Sequence, residues 1–93
     1  MVQVTGEEIK KIIIDVLVLE HLSWDEIDDA QDLFGSGLGL TSIDALELDV
    51  ALRKMFDLDV PTDLPEVRTY FQNVSTLADY VNKFRKKFRQ DKS

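Results

Sequence analysis

Residues 32–48 read Asp-Leu-Phe-Gly-Ser-Gly-Leu-Gly-Leu-Thr-Ser-Ile-Asp-Ala-Leu-Glu-Leu. Glycines recur in the first half, whereas the second half begins at Ser42 and places apolar and acidic residues at helical spacing. The sequence therefore predicts a glycine-rich loop that leads into an amphipathic helix, with Ser42 at the helix N-terminus. Because backbone N–H groups and the helix dipole favour an anion there, a phosphate esterified to the Ser42 hydroxyl would be well accommodated.

The helix that begins at Ser42 is predicted to continue to about Phe56. It is expected to end over residues 57–61, because proline at position 61 cannot continue a helix. Projection at about 100° per residue separates two apolar faces. A broad arc is expected to face the core and consists of Ala45, Leu48, Leu52, Met55 and Phe56. A narrower strip on the other side consists of Ile43, Leu46 and Val50, with Ser42 at its upper edge. Such a strip either packs against the short third helix or docks into a groove of a partner, and the two interpretations do not exclude each other.

The N-terminal part of the chain predicts one helix and a long connection. Thr5 and Glu8 have the Thr-x-x-Glu spacing of a capping box, and apolar residues recur behind them at helical spacing. We expect this first helix to end near Glu20 or His21. The connection over residues 22–41 is long for a structureless loop, which indicates a loop packed by its own apolar side chains.

Two further helices are predicted after the proline. A short third helix is expected from Pro65 to about Gln72, because proline is tolerated at the first helical position. The last helix is expected to begin near Asn73 or Ser75, where an apolar stripe starts. Together the elements predict an all-α four-helix bundle with a long first loop and a short third helix.

Composition limits the functions that the chain can have. The net charge is −7 and there is no cysteine, which excludes disulfides, a cysteine metal site and a cysteine nucleophile. An acidic body argues against nucleic acid as a partner and favours partners with basic surfaces. No catalytic dyad, nucleotide motif or metal cluster is visible in the sequence, so we expect neither an enzyme nor a metal site.

We expect a single domain that spans residues 1–93. Its core would cover about residues 5–84, and residues 85–93 would form a basic extension of the last helix, whose bases complement the helix dipole. No apolar run is long enough to span a membrane, and the N-terminus lacks the basic region and cleavage signal of a secretory peptide. We therefore expect a cytoplasmic protein, and we also expect it to be a monomer.

Over residues 5–84 the chain resembles the acyl carrier proteins. The matching residues, in order, are Asp32, Leu33, Ser42, Ile43, Asp44, Ala45, Leu46, Glu47, Leu48, Ala51, Leu52, Phe56 and the run 74–81. In that family a serine in an Asp-Ser-Leu-type motif carries 4′-phosphopantetheine. The resemblance implies that Ser42 is the attachment point of this group.

The resemblance also implies a function without catalysis. A phosphopantetheinyl transferase would attach the arm of coenzyme A to Ser42, and the terminal thiol of the arm would hold acyl intermediates as thioesters. The carrier would present them to enzymes of fatty acid, lipid or polyketide biosynthesis that have basic docking patches. By position, the recognition residues of the family correspond to Ile43, Asp44, Leu46, Glu47 and Val50.

Two features depart from the family pattern. Thr41 precedes the serine where the family has aspartate; both residues are good N-caps, but a charge is lost beside the site where the transferase and its metal act. Arg53 and Lys54 stand where the family usually continues acidic. Because like charges disfavour wrong partners, we add both residues to the partner-binding set and interpret the chain as a specialised carrier.

Two other functions stay open at this point. One is a carrier of aminoacyl or peptidyl groups, which would have the same arm but a different cargo. The other is an unmodified adaptor that uses the carrier fold only to bind a protein, and Thr41 is the feature that favours it.

Overall fold

The computed structural model describes residues 3–35, 37–61 and 67–85. The elements are α1 (Gly6–Leu17), a single 3₁₀ turn (Trp24–Glu26), α2 (Ser42–Phe56), α3 (Val67–Tyr70) and α4 (Val74–Phe84). Within the described ranges these are four α-helices, and β-structure is limited to isolated bridges. The predicted all-α bundle with a long first loop and a short third helix is confirmed, while the expected start of the third helix at Pro65 lies outside the described residues.

Reciprocal caps begin α1 and α4 where the sequence predicts them. Glu8 N–H donates to Thr5 Oγ1 over 3.3 Å, and Thr5 N–H donates to Glu8 Oε1 over 3.1 Å. Asn73 and Thr76 form the same arrangement at α4, with distances of 2.9 and 3.1 Å. Each pair satisfies N–H groups that have no acceptor within their own helix, so the caps fix where both helices begin.

The first helix ends earlier than residues 20–21, where we expected its end. Val18 adopts a left-handed conformation with φ 54°, and Leu19 N–H bonds to the Ile14 carbonyl over 3.0 Å. This pattern is a Schellman motif, which closes a helix and brings the two flanking apolar side chains together. Ile14 and Leu19 both pack against the core, and this tertiary contact is not visible in the helical period.

The core consists of buried apolar side chains from α1, α2 and α4 and from the loops between them. They are Val4, Ile9, Ile13, Ile27, Leu33, Leu40, Leu48, Leu52, Leu58, Phe71, Val74, Leu77, Tyr80, Val81 and Phe84. α1 packs against α2, α4 and the 3₁₀ turn, and α3 packs against α4. In the part of the chain that the structure describes, no helix has the length and apolarity needed to cross a membrane.

Met55 is an exception to the predicted core face of α2. Its side chain is exposed, so the prediction that it faces the core is wrong. A helical period gives the direction of a side chain, whereas burial also needs a neighbouring element to cover it. The other predicted members of the face are buried or partly buried against the core.

Candidate functional site

Ser42 is the first residue of α2, and its side chain is exposed. The loop in front of it is anchored to the core, because Leu33 is buried and its N–H bonds to the Gln72 carbonyl over 3.0 Å. Leu40 is also buried, and its N–H bonds back to the Leu33 carbonyl over 2.9 Å. The packed loop that the sequence predicts therefore holds the start of α2 in place while leaving the serine hydroxyl accessible.

Glycine allows this loop to turn on itself. Leu38 N–H bonds to the Asp32 carbonyl over 3.1 Å, which brings the backbone at Gly37 against Asp32. A Cβ at Gly37 would overlap the Asp32 carbonyl oxygen, so no larger residue fits this approach. Gly39 has φ 75°, a conformation that glycine adopts without strain.

A complete capping box surrounds the serine. Thr41 N–H donates to Asp44 Oδ2 over 2.9 Å, and Asp44 N–H donates to Thr41 Oγ1 over 3.2 Å. The N–H groups of Ser42 and Ile43, which lie between these two residues, have no acceptor within the helix. Thr41 therefore caps the helix as an aspartate would, but without a negative charge. The N–H groups of Ser42 and Ile43 stay available beside the serine hydroxyl.

An open groove of about 450 Å³ adjoins Ser42. It lies between α2 and α3. Its lining residues are Phe34, Ser42, Ala45, Leu46, Asp49, Val67, Arg68 and Phe71. Most of these side chains are apolar, and two charged residues, Asp49 and Arg68, interrupt the apolar surface. The hydroxyl at the start of α2 and an apolar groove are thus parts of one site.

Asp49 takes part in a hydrogen-bond network that the sequence analysis missed. Tyr80 Oη donates to Asp49 Oδ1 over 2.8 Å, and Arg53 Nε donates to both carboxylate oxygens over 3.1 Å. The hydrogen bond to Asp49 raises the pKa of Arg53, and burial together with the same carboxylate raises the pKa of Tyr80. An acidic residue four positions before an arginine indicated the ion pair, but no sequence signal connects Asp49 with Tyr80.

The narrow strip on α2 is exposed, which the helical spacing alone left open because the strip could also have packed against the third helix. The exposed fractions are 71% for Ile43, 64% for Leu46 and 45% for Val50. Contiguous exposed apolar side chains of this kind are typical of surfaces that contact another molecule. Leu46 also lines the groove, so the strip and the groove adjoin each other.

The charged residues assigned to partner binding differ in what they contact. Glu47 and Lys54 are exposed, and neither takes part in an ion pair among the described residues. Asp44 is half-buried because its carboxylate caps α2, and Arg53 is half-buried in its ion pair with Asp49. The structure brings all four residues onto α2, but only Glu47 and Lys54 have side chains that no other described side chain engages.

The residues at the start of α2 fit a phosphodiester-linked arm. Ser42 supplies an accessible hydroxyl, the first turn supplies N–H donors, and the helix dipole favours a negative group there. Asp44 lies two residues after Ser42, and its carboxylate is already bonded to Thr41 N–H. Within the described residues, no three His, Asp or Glu side chains are grouped closely enough to hold a metal ion.

A small helical bundle with an exposed serine at a helix start is the architecture of a carrier domain. A family model described as "Phosphopantetheine attachment site" matches residues 7–81, which is most of the chain. The chain therefore belongs to the phosphopantetheine-attachment family of carrier proteins. Domains of this family bear covalently attached 4′-phosphopantetheine and carry acyl intermediates without catalysing reactions themselves.

Membership of the family also identifies the kinds of protein that the chain meets. A carrier domain implies a phosphopantetheinyl transferase, which installs the arm, and enzymes that handle the carried acyl groups. When the arm is bound, its terminal thiol holds these groups as thioesters.

Proposed function

We propose that this chain is an acyl carrier protein and that Ser42 bears the 4′-phosphopantetheine arm. The observation that carries the proposal is the accessible Ser42 hydroxyl, located at the first turn of α2 and at the end of an apolar groove. In the attachment step, Ser42 Oγ forms a phosphodiester and loses its proton, while the pyrophosphate bond of coenzyme A breaks. The adenosine bisphosphate portion leaves.

An acyl cargo is favoured over an aminoacyl or peptidyl one by the lining of the groove. Phe34, Ala45, Leu46, Val67 and Phe71 give the groove an apolar surface that can shelter a hydrocarbon chain from water. A volume of about 450 Å³ lies within the range of sites that bind small molecules. The cargo would be an intermediate of fatty acid, lipid or polyketide biosynthesis.

The exposed strip on α2 is proposed as the docking surface for the enzymes that use this cargo. Ile43, Leu46 and Val50 would supply apolar contacts, and Asp44 and Glu47 would attract basic patches on the partner. Positive charge at the end of α2 would restrict which enzymes bind, because it repels a basic patch that extends further along the helix. Arg53 and Lys54 provide this positive charge, which supports a specialised rather than a general carrier.

We also infer that the proposed carrier is a cytoplasmic monomer with one domain over residues 1–93. This domain includes the basic extension over 85–93, of which residues 86–93 lie outside the described residues. The acidic body supports solubility and steers the chain toward basic enzymes rather than nucleic acid.

The test is the intact mass of the full chain after incubation with coenzyme A, Mg²⁺ and a broad-specificity phosphopantetheinyl transferase. The expected result is the addition of one phosphopantetheinyl group. Ser42→Ala should abolish the addition, whereas Ser75→Ala, which removes another exposed serine hydroxyl at the start of α4, should leave it unchanged. Addition to both variants would overturn the assignment to Ser42.

An unmodified adaptor is the second candidate, and Thr41 is the observation that favours it. Because Thr41 caps α2 fully, the helix folds without the aspartate that precedes the serine elsewhere in the family. If the wild-type chain and Thr41→Asp both gain no mass, and protein from its native source is also unmodified, the adaptor function replaces the carrier function. Addition only to Thr41→Asp would show that the missing charge controls modification.

A further inference from the structure

We propose that Asp49 selects the cargo of this carrier and favours acyl groups that bear a hydroxyl over unsubstituted hydrocarbon chains. The proposal rests on the function proposed above, because it requires an acyl group joined to the chain through Ser42. It assigns a specificity role to a residue that lies outside the attachment site and outside the exposed strip of Ile43, Leu46 and Val50.

The first step of the argument is the position of Asp49 relative to Ser42. Both residues line the groove, and seven residues separate them along α2. Seven residues are nearly two turns, so the two side chains lie on the same side of the helix and about 10 Å apart along its axis. The phosphopantetheine arm is longer than this distance, so an arm that folds back along the groove places its acyl group beside the Asp49 carboxylate.

The second step is the unused hydrogen-bonding capacity of this carboxylate. Among the described residues, Oδ1 accepts bonds from Tyr80 Oη and Arg53 Nε, whereas Oδ2 accepts only the Arg53 Nε–H that it shares with Oδ1. A carboxylate has about four acceptor positions, so Oδ2 can accept a further donor. The Asp49 side chain keeps 21% of its surface exposed, and Asp49 is one of the residues that line the groove.

The third step is the cost of covering this group with hydrocarbon. A methylene chain lying over Asp49 would displace water from Oδ2 and offer no donor in its place, and an unsatisfied buried acceptor is unfavourable. A hydroxyl on the cargo would replace the lost water with a charge-assisted hydrogen bond. The same groove therefore shelters the apolar part of a hydroxylated chain and satisfies its polar group.

The charge of the groove decides between a neutral donor and a cationic one. Arg53 already neutralises Asp49, and Arg68 also lines the groove. With Asp49 paired to Arg53 and a second guanidinium in the lining, the groove disfavours a further cation such as the ammonium group of an aminoacyl cargo. A hydroxyl meets no such repulsion, which makes hydroxyacyl groups the class that fits.

The test loads the full chain with amide analogues of acyl-coenzyme A, which cannot hydrolyse. The probes are hexanoyl and two hydroxylated hexanoyl amides, one with the hydroxyl at carbon 3 and one with it at carbon 5. Intact mass is read first, and then the midpoint of thermal unfolding of each loaded form. At least one hydroxylated form is expected to unfold about 5 °C above the hexanoyl form.

A matched pair of variants isolates the carboxylate. Asp49→Asn keeps the shape of the side chain and the acceptor for Tyr80 but makes the side chain neutral. The difference in unfolding midpoint between the hydroxylated and hexanoyl forms should therefore fall by about half or more. Asp79→Asn makes the same change on an exposed part of α4 and should leave this difference intact. Where a variant is too unstable to load, the second readout is the ¹³C chemical shift of the Asp49 carboxyl in the wild-type chain. This shift should change when the chain is loaded with a hydroxylated probe and should not change with the hexanoyl probe.

Each other outcome contradicts a defined part of the argument. Equal midpoints for all loaded wild-type forms, or a difference that Asp49→Asn leaves unchanged, would overturn the selection by Asp49 while leaving the carrier function intact. Absence of added mass on the wild-type chain would instead overturn the carrier function, and the role of Asp49 with it.

Discussion

Thr41 and Asp44 cap each other across the first turn of α2, with hydrogen bonds of 2.9 and 3.2 Å that enclose Ser42. Thr41→Val keeps the shape of the side chain but removes its acceptor, so the free energy of unfolding should fall by about 1 kcal/mol. Urea denaturation measures this change. Thr69→Val makes the same substitution at an exposed position of α3 and serves as control; an equal loss there would mean that the cap contributes nothing specific.

Gly37 should be irreplaceable in the loop that positions Ser42. Because a Cβ at residue 37 would overlap the Asp32 carbonyl oxygen, Gly37→Ala must displace the loop backbone. Gly35→Ala is the comparison, since φ is 62° there but no atom lies within 4 Å of the added Cβ. We expect Gly35→Ala to lower the free energy of unfolding by about 1 kcal/mol and Gly37→Ala to lower it by more. Equal losses in urea denaturation would contradict the close approach to Asp32.

Local sequence signals were sufficient to predict most of the bundle. The bounds of α2 and the capped starts of α1 and α4 depend on residues three or four positions apart, so they are readable in the chain itself. The early end of α1 at Val18 and the exposure of Met55 depend on which elements pack together, which a helical period does not contain.

Some parts of the candidate site could be predicted from the sequence, and others depend on tertiary packing. The serine at a helix start and the apolar strip could be predicted from spacing, because both are properties of one helix, whereas the exposure of the strip depends on where its neighbours lie. The groove could not be predicted, since it is lined by residues of α2, of α3 and of the segments next to them, which only the fold brings together. The Tyr80–Asp49 hydrogen bond joins residues 31 positions apart, and a long-range pair of this kind is invisible without the fold.

Tyr80 should make the protein sensitive to alkaline pH. Burial and the Asp49 carboxylate raise the pKa of Tyr80 above its ordinary value of 10.0. Above that pH the unfolded chain has lost this proton and the folded chain retains it, so stability should fall as pH rises, by up to about 1.4 kcal/mol per pH unit.

Tyrosinate absorbance measures the titration directly. The chain has two tyrosines, so Tyr70→Phe leaves Tyr80 as the single reporter. In that variant, tyrosinate should form only as the helical circular dichroism is lost. Ionisation near pH 10 in a chain that stays helical would contradict the raised pKa.

Lys54→Glu tests partner choice more cleanly than Arg53→Glu does. Arg53 is bonded to Asp49, so reversing its charge would break an ion pair beside the groove, whereas Lys54 is exposed. We expect Lys54→Glu to change stability by less than about 0.5 kcal/mol and to raise the affinity for an enzyme with an extended basic patch by up to about fivefold. Lys11→Glu, on α1, is the control for net charge, and the ion pair with Glu7 that it breaks is exposed and distant from α2. An equal gain in calorimetric titrations would show a general charge effect.

Val18 should be a position where the chain can be stabilised without touching the site. A β-branched residue at φ 54° is strained, and its side chain is 65% exposed, so little packing is lost when it is replaced. Val18→Gly should raise the free energy of unfolding by about 1 kcal/mol, because glycine occupies the left-handed cap without a Cβ clash. Val18→Ala removes the same apolar surface but keeps the Cβ, so its gain in urea denaturation should be clearly smaller. If both variants gain equally, exposed apolar surface rather than backbone strain is the cause.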